Sequence, residues 1–183
     1  YAMLMEILRV FGDSLKNGFV EAGHRGEIVA RLVLILCWRQ CVCVRKNKKA
    51  NYTTTVKLKA FLKVLLGNSS AADIVVQKIG KELLDGKLFF THFIPLQETP
   101  SQQTLRKLWK RCAAGILKRN QRGVDILLVL KLGKNNFTFV MIQVKNRNVQ
   151  LADSKYKDDS TWKLTTRYVF QETDLHDCKL PYL

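Results

Sequence analysis

The feature that most constrains this chain is a pair of apolar runs, residues 124–132 and 137–146, separated by Gly133-Lys134-Asn135-Asn136. Each run has strand length, and a short Gly/Asn turn between two such runs closes an antiparallel hairpin. Side chains alternate along a strand, so Phe137, Phe139, Met141, Gln143 and Lys145 share one face, while Thr138, Val140, Ile142, Val144 and Asn146 share the other. The first face starts apolar and ends polar. Packing gives no reason for a Gln and a Lys at the end of a core-grade strand, because taking an unpaired polar group out of water costs roughly 2–7 kcal/mol. Asp125 stands at the start of the first strand, and in an antiparallel hairpin that start lies beside the end of the second. We therefore expect Asp125 to meet Gln143 and Lys145.

Charge gives that meeting its interest. The 183 residues carry 31 Lys+Arg against 15 Asp+Glu, a formal net charge of +16, which in a folded domain calls for a polyanionic partner, nucleic acid or an anionic membrane face. The positive charge is concentrated. Residues 28–72 and 99–124 contain no acid, and between residues 86 and 152 only Glu98 and Asp125 are acidic. Within those runs Arg45, Lys46, Lys48, Lys49, Arg106, Lys110, Lys118, Arg119 and Arg122 are the expected phosphate contacts. A membrane span is excluded for the most hydrophobic stretch, residues 28–38, because it has about half of the roughly 20 residues a bilayer needs and Arg31 interrupts it. No signal peptide is visible, and the first residue is Tyr1, so a fragment of a longer intracellular protein is expected. The five Cys are odd in number and irregularly spaced, which fits reduced thiols, and no second Cys/His pair follows at zinc spacing.

The remaining patterns alternate between helix and strand. Residues 3–16 read as a short amphipathic helix, 26–41 as a helix apolar nearly all round and therefore interior, 56–66 and 71–84 as two further helices, and 88–95 as an aromatic-rich strand. Residues 101–120 read as a helix with Leu105, Leu108, Trp109, Cys112 and Ile116 on one face and basic residues on the other; 164–170 reads as a last strand. The order implies an α/β domain with a central mixed sheet flanked by helices.

A carboxylate, an amide and an ammonium brought together in a basic protein suit phosphodiester cleavage. Asp125 offers hard oxygen to Mg²⁺, with Mn²⁺ as an alternative, and such an ion polarises a phosphoryl oxygen and lowers the pKa of bound water. Lys145 can orient that water or offset phosphorane charge, and Gln143 can give its carbonyl oxygen to the metal or to the water.

Gly123-Val124-Asp125, then 17 residues, then Gln143-Val144-Lys145 resembles the signature of the PD-(D/E)XK, or restriction-endonuclease-like, superfamily, and most closely its Mrr-like branch with Gln for the second acid. The resemblance implies a restriction-endonuclease-like core over about residues 18–147, a helical insertion at about 53–86 and a C-terminal extension at 148–183. It implies catalytic Glu27, Asp125, Gln143 and Lys145, with the metal on Asp125, Gln143, Glu27 and the Val144 carbonyl, and His24 and Arg31 as accessory groups. Val124 stands where the motif's name has Pro. Residues 18–31 (GFVEAGHRGEIVAR) also resemble nuclease domains of Crinkler-type effectors and related fungal transposon-linked proteins, which implies a nuclear site of action, in a host where the effector is secreted. Double-stranded DNA is the expected substrate, and by analogy a homodimer the form that cuts both strands.

Plainer readings stand beside this one. Glu27 followed by Arg31 is a favourable i,i+4 helix pair, and Asp125 after Gly123 could be a turn residue. His24 and His92 are more often structural than catalytic. Two other functions remain open: a nucleic-acid-binding effector domain that has lost turnover, and an interaction domain for an acidic protein.

Overall fold

A computed structural model describes residues 9, 12–13, 22–43, 54–67, 70–118 and 124–144. In chain order these form α1 (Ala22–Cys43), β1 (Val56–Lys57), α2 (Leu58–Leu66), α3 (Ser70–Lys78), α4 (Lys81–Asp85), β2 (Lys87–Leu88), β3 (His92–Pro95), α5 (Gln102–Lys110), β4 (Ala113–Ile116), β5 (Ile126–Lys131) and β6 (Phe137–Ile142). The architecture is α/β, with a mixed sheet flanked by helices, as the alternating patterns predict. Of the expected helix at 3–16, residues 9, 12 and 13 are described and are helical. The expected strand at 164–170 lies outside the described residues.

β5 is the centre of the sheet. β5 and β6 pair antiparallel from Ile126 opposite Ile142 to Lys131 opposite Phe137. The other edge of β5 is divided: Ile126 and Leu127 face β4, while Leu130 and Lys131 face β2. β1 continues the sheet beyond β2, and β3 lies parallel to β4 at the far side. Alternation along β5 sends Ile126, Leu128 and Leu130 into one apolar cluster and Leu127 and Val129 into another. Helices cover both. Leu34, Trp38 and Val42 of α1, spaced four apart, join Leu58, Phe61 and Leu62 of α2 in the first cluster; Leu105 and Leu108 of α5 join Phe137, Phe139 and Met141 in the second.

Four expectations need correction. α1 is not interior all round: Val29, Leu32, Val33 and Leu36 are between 41% and 57% exposed, because the sheet occupies one side of the helix only. The helix expected at 101–120 ends at Lys110. Cys112, at φ 52, turns the chain, and Ala113–Ile116 enters the sheet as β4. Small residues allow this: a Cβ on Gly115 would sit 2.8 Å from Leu96 Cδ1 and 3.5 Å from Leu108 Cδ1, so α5 and the residue after β3 fold closely over β4. The segment 53–86, expected as a helical insertion, is mostly helical, yet it also supplies β1 to the sheet and buries Leu58, Phe61 and Leu62 in the main core; its second helix breaks at Ile79-Gly80. The aromatic strand expected at 88–95 is two strands, β2 and β3, parted at residues 89–91 where Phe90 turns into the first cluster.

Candidate functional site

Asp125 sits where the chain enters β5. Its N–H donates to Ile142 O at 2.9 Å, its carbonyl accepts from Leu117 N–H at 2.9 Å, and its carboxylate Oδ2 accepts the Val144 N–H. The regular pairing ends at Ile126 opposite Ile142; Asp125 also turns its N–H to Ile142 O and so shares Ile142 with Ile126, a bulge that aims its carboxylate at the Val144 N–H, with Gln143 exposed and Asp125 half-buried. A charge-assisted bond of this kind fixes the carboxylate against the second strand. Lys145, the next residue but one after Gln143, lies outside the described residues.

Glu27 occupies the first turns of α1. Its carboxylate lies 3.5 Å from His24 Nδ1, and Arg31 Nε donates to its backbone carbonyl at 3.2 Å, so Arg31 reaches the main chain of Glu27 and not its carboxylate as the plain helix-pair reading would have it. Ala30, one turn on, borders the same apolar cluster as Ile142 and Val144, which places the start of α1 on the face of the sheet reached by Val144. Among the described residues, no three His, Cys, Asp or Glu side chains come together to hold a metal ion. The donors near Asp125 are one fixed carboxylate, an exposed amide and backbone carbonyl oxygen. That set suits Mg²⁺, which keeps several waters and takes one or two protein carboxylates, better than it suits a fully caged ion.

Of the expected phosphate contacts, Arg106 and Lys110 lie on the exposed side of α5 and Lys118 is exposed after β4. Arg45, Lys46, Lys48, Lys49, Arg119 and Arg122 lie outside the described residues. α5 carries this charge because Leu105 and Leu108 turn its other side to the sheet, and Ser101 caps its start by accepting the Thr104 N–H at 3.3 Å.

A second group escaped the sequence reading. Thr55, Lys87, Trp109, Lys131 and Lys134 line a cavity of about 310 Å³ at the turn end of the hairpin. Lys131 Nζ stands 5.5 Å from the centre of the Trp109 ring and 5.9 Å from that of Phe137. The one sequence signal was a lysine ending an otherwise apolar run.

Over residues 1–183 the sequence matches the family described as a domain of unknown function, DUF8736. No curated protein and no solved structure matches it. Among the described residues, no helix is long and apolar enough to cross a membrane.

Proposed function

The chain belongs to the DUF8736 family, a domain of unknown function, and from that premise we propose that it is a metal-dependent nuclease acting on double-stranded DNA. One observation carries the reading: in a chain of net charge +16, one of the two carboxylates between residues 86 and 152, that of Asp125, accepts the N–H of Val144, the middle residue of the Gln-x-Lys sequence. Asp125, Gln143 and the Val144 carbonyl are the groups that would hold Mg²⁺ or Mn²⁺, with Glu27 the second carboxylate that the resemblance implies, and a bound ion supplies Lewis acidity to the phosphoryl oxygen and to water. The protein's own share is positional. The Val144 N–H keeps the Asp125 carboxylate oriented, the Gln143 amide holds an attacking water, and the Lys145 ammonium offsets charge on the phosphorane. Arg106, Lys110 and Lys118 neutralise phosphates of the duplex, so binding weakens with salt by about 0.9 log units per contact per log unit of salt.

The test is plasmid degradation in Mg²⁺ by the full chain. Asp125→Asn keeps an oxygen for the Val144 N–H and removes the charge, so the fold survives while the rate falls by about 10²-fold or more, the scale of losing one electrostatic stabiliser. Lys145→Ala should do the same. Wild-type rates in both folded variants would refute the assignment. DNA binding without cleavage by the unaltered chain, at every metal concentration, would instead make this a binding domain that has lost turnover.

A further inference from the structure

The sheet carries a row of lysines that runs across its strands. In register, Lys57 of β1 lies opposite Lys87 of β2, and Lys87 lies opposite Lys131 of β5. Neighbouring strands are about 4.8 Å apart, so three ammonium-bearing residues stand side by side on one face. Like charges directly opposite on paired strands destabilise a sheet. The outermost lysine is compensated: Lys57 Nζ is 2.8 Å from Asp85 Oδ1. The inner two are not, since among the described residues no carboxylate pairs with Lys87, Lys131 or the nearby Lys134.

Those three lysines line the 310 Å³ cavity together with Trp109. The side chain of Lys131 is half exposed, and its ammonium lies over the indole, which favours that position over one out in solvent. Trp109 is itself braced by Phe89 at 6.0 Å and Phe137 at 5.9 Å, so the wall is rigid. A cavity of this size, walled by an aromatic ring and rimmed by uncompensated cations, takes a ligand with a phosphate and an apolar planar part. We infer that it is a second phosphate site, separate from Asp125, which binds a nucleotide unit through Lys87, Lys131 and Lys134. Asp125 immediately precedes β5 and Lys131 ends it, six residues apart, about 20 Å along an extended strand. The site therefore engages the substrate away from the position of cleavage and does not depend on it.

The experiment measures binding of a fluorescein-labelled single-stranded DNA 12-mer by anisotropy, in EDTA, to the full chain carrying Asp125→Asn. Loss of two contacts, each worth about 0.7 log units of affinity per log unit of salt on single strands, lowers affinity about 25-fold at 0.1 M salt and reduces the salt slope by about 1.4 in Lys87→Gln/Lys131→Gln. Lys134→Gln, in the exposed turn, gives about half that change in the slope and guards against a misfolded double variant. Competition by ADP separates the sources: displacement of the 12-mer assigns the site to free nucleotides, and no displacement assigns it to phosphates of a strand. Unchanged affinity and salt slope in folded Lys87→Gln/Lys131→Gln would overturn the inference. Because catalysis is silenced, that result would leave the nuclease proposal untouched, and loss of cleavage alone would leave this one untouched.

Discussion

Gly86 offers a sharp test of how β2 is seated. It is buried, and its backbone, at φ −56 and ψ 150, is one that alanine adopts without strain. Gly86→Ala therefore isolates a steric effect. The new Cβ would lie 2.8 Å from Leu130 Cγ, 2.9 Å from Leu130 Cδ1 and 2.9 Å from the Leu83 carbonyl oxygen. Leu130 is fully buried, so its side chain has no room to withdraw. The main chain of Gly86 is pinned too: its N–H donates to Leu83 O at 3.0 Å and its carbonyl accepts from Leu58 N–H at 2.9 Å. Overpacking a core by one methyl costs about 1–3 kcal/mol, and with neighbour and backbone both fixed the upper half of that range applies. For a chain of this length, ~2.5 kcal/mol lowers the Tm by about 5–10 °C. Urea denaturation followed by circular dichroism should show a lower midpoint at unchanged slope. In a Leu130→Ala background the same substitution should cost about 1 kcal/mol less, because one of its two obstacles is gone. A Gly86→Ala protein as stable as the parent, or an equal cost in both backgrounds, would refute the reasoning.

Two smaller predictions complete the set. Ser101→Ala removes the side chain that accepts the Thr104 N–H at the start of α5 and should cost about 1 kcal/mol, read as a urea midpoint shift. The Lys57 ammonium, by hydrogen bond and by charge, holds the Asp85 carboxyl below its usual range. A lowered folded-state pKa contributes stability above the unfolded value and loses it as pH falls through the folded one, so the Tm gap between the parent and Asp85→Asn should be open at pH 7, close in acid below the usual aspartate range, and shrink in high salt.

The hairpin was legible because a period of two, interrupted by Gly133 and two asparagines, has one antiparallel solution, and that solution brings the start of β5 to the end of β6, where the Asp125 carboxylate accepts the Val144 N–H. The fold class followed from the order of patterns. β4 was hidden because Ala113, Ala114 and Ile116 continue the apolar spacing of Leu105, Leu108 and Cys112, and nothing local announces the positive φ at Cys112. β1 is two residues long, too short for any periodicity. The exposed stripe of α1 was unreadable for another reason: apolar residues all round a helix say that it could be buried everywhere, not where its neighbours stop. Lys87 and Lys131 are 44 positions apart and become one site only through the pairing of β2 with β5. No spacing rule within a single element can find such a pair.

The divided edge of β5 has a mechanical consequence. Among the described residues, every ladder except β1–β2 and β3–β4 has β5 as a member, so removing it would leave three separate fragments of them: two two-stranded ribbons and β6 alone. Isolated ribbons are marginal in water. The outer strands can fray while the sheet survives, but β5 can open only when the whole sheet does. Asp125 immediately precedes this strand and Lys131 ends it. The span between the carboxylate and the lysine row is accordingly a fixed gauge, set by six residues of the least yielding of the described strands, and a ligand long enough to touch both ends is measured against a ruler that does not stretch.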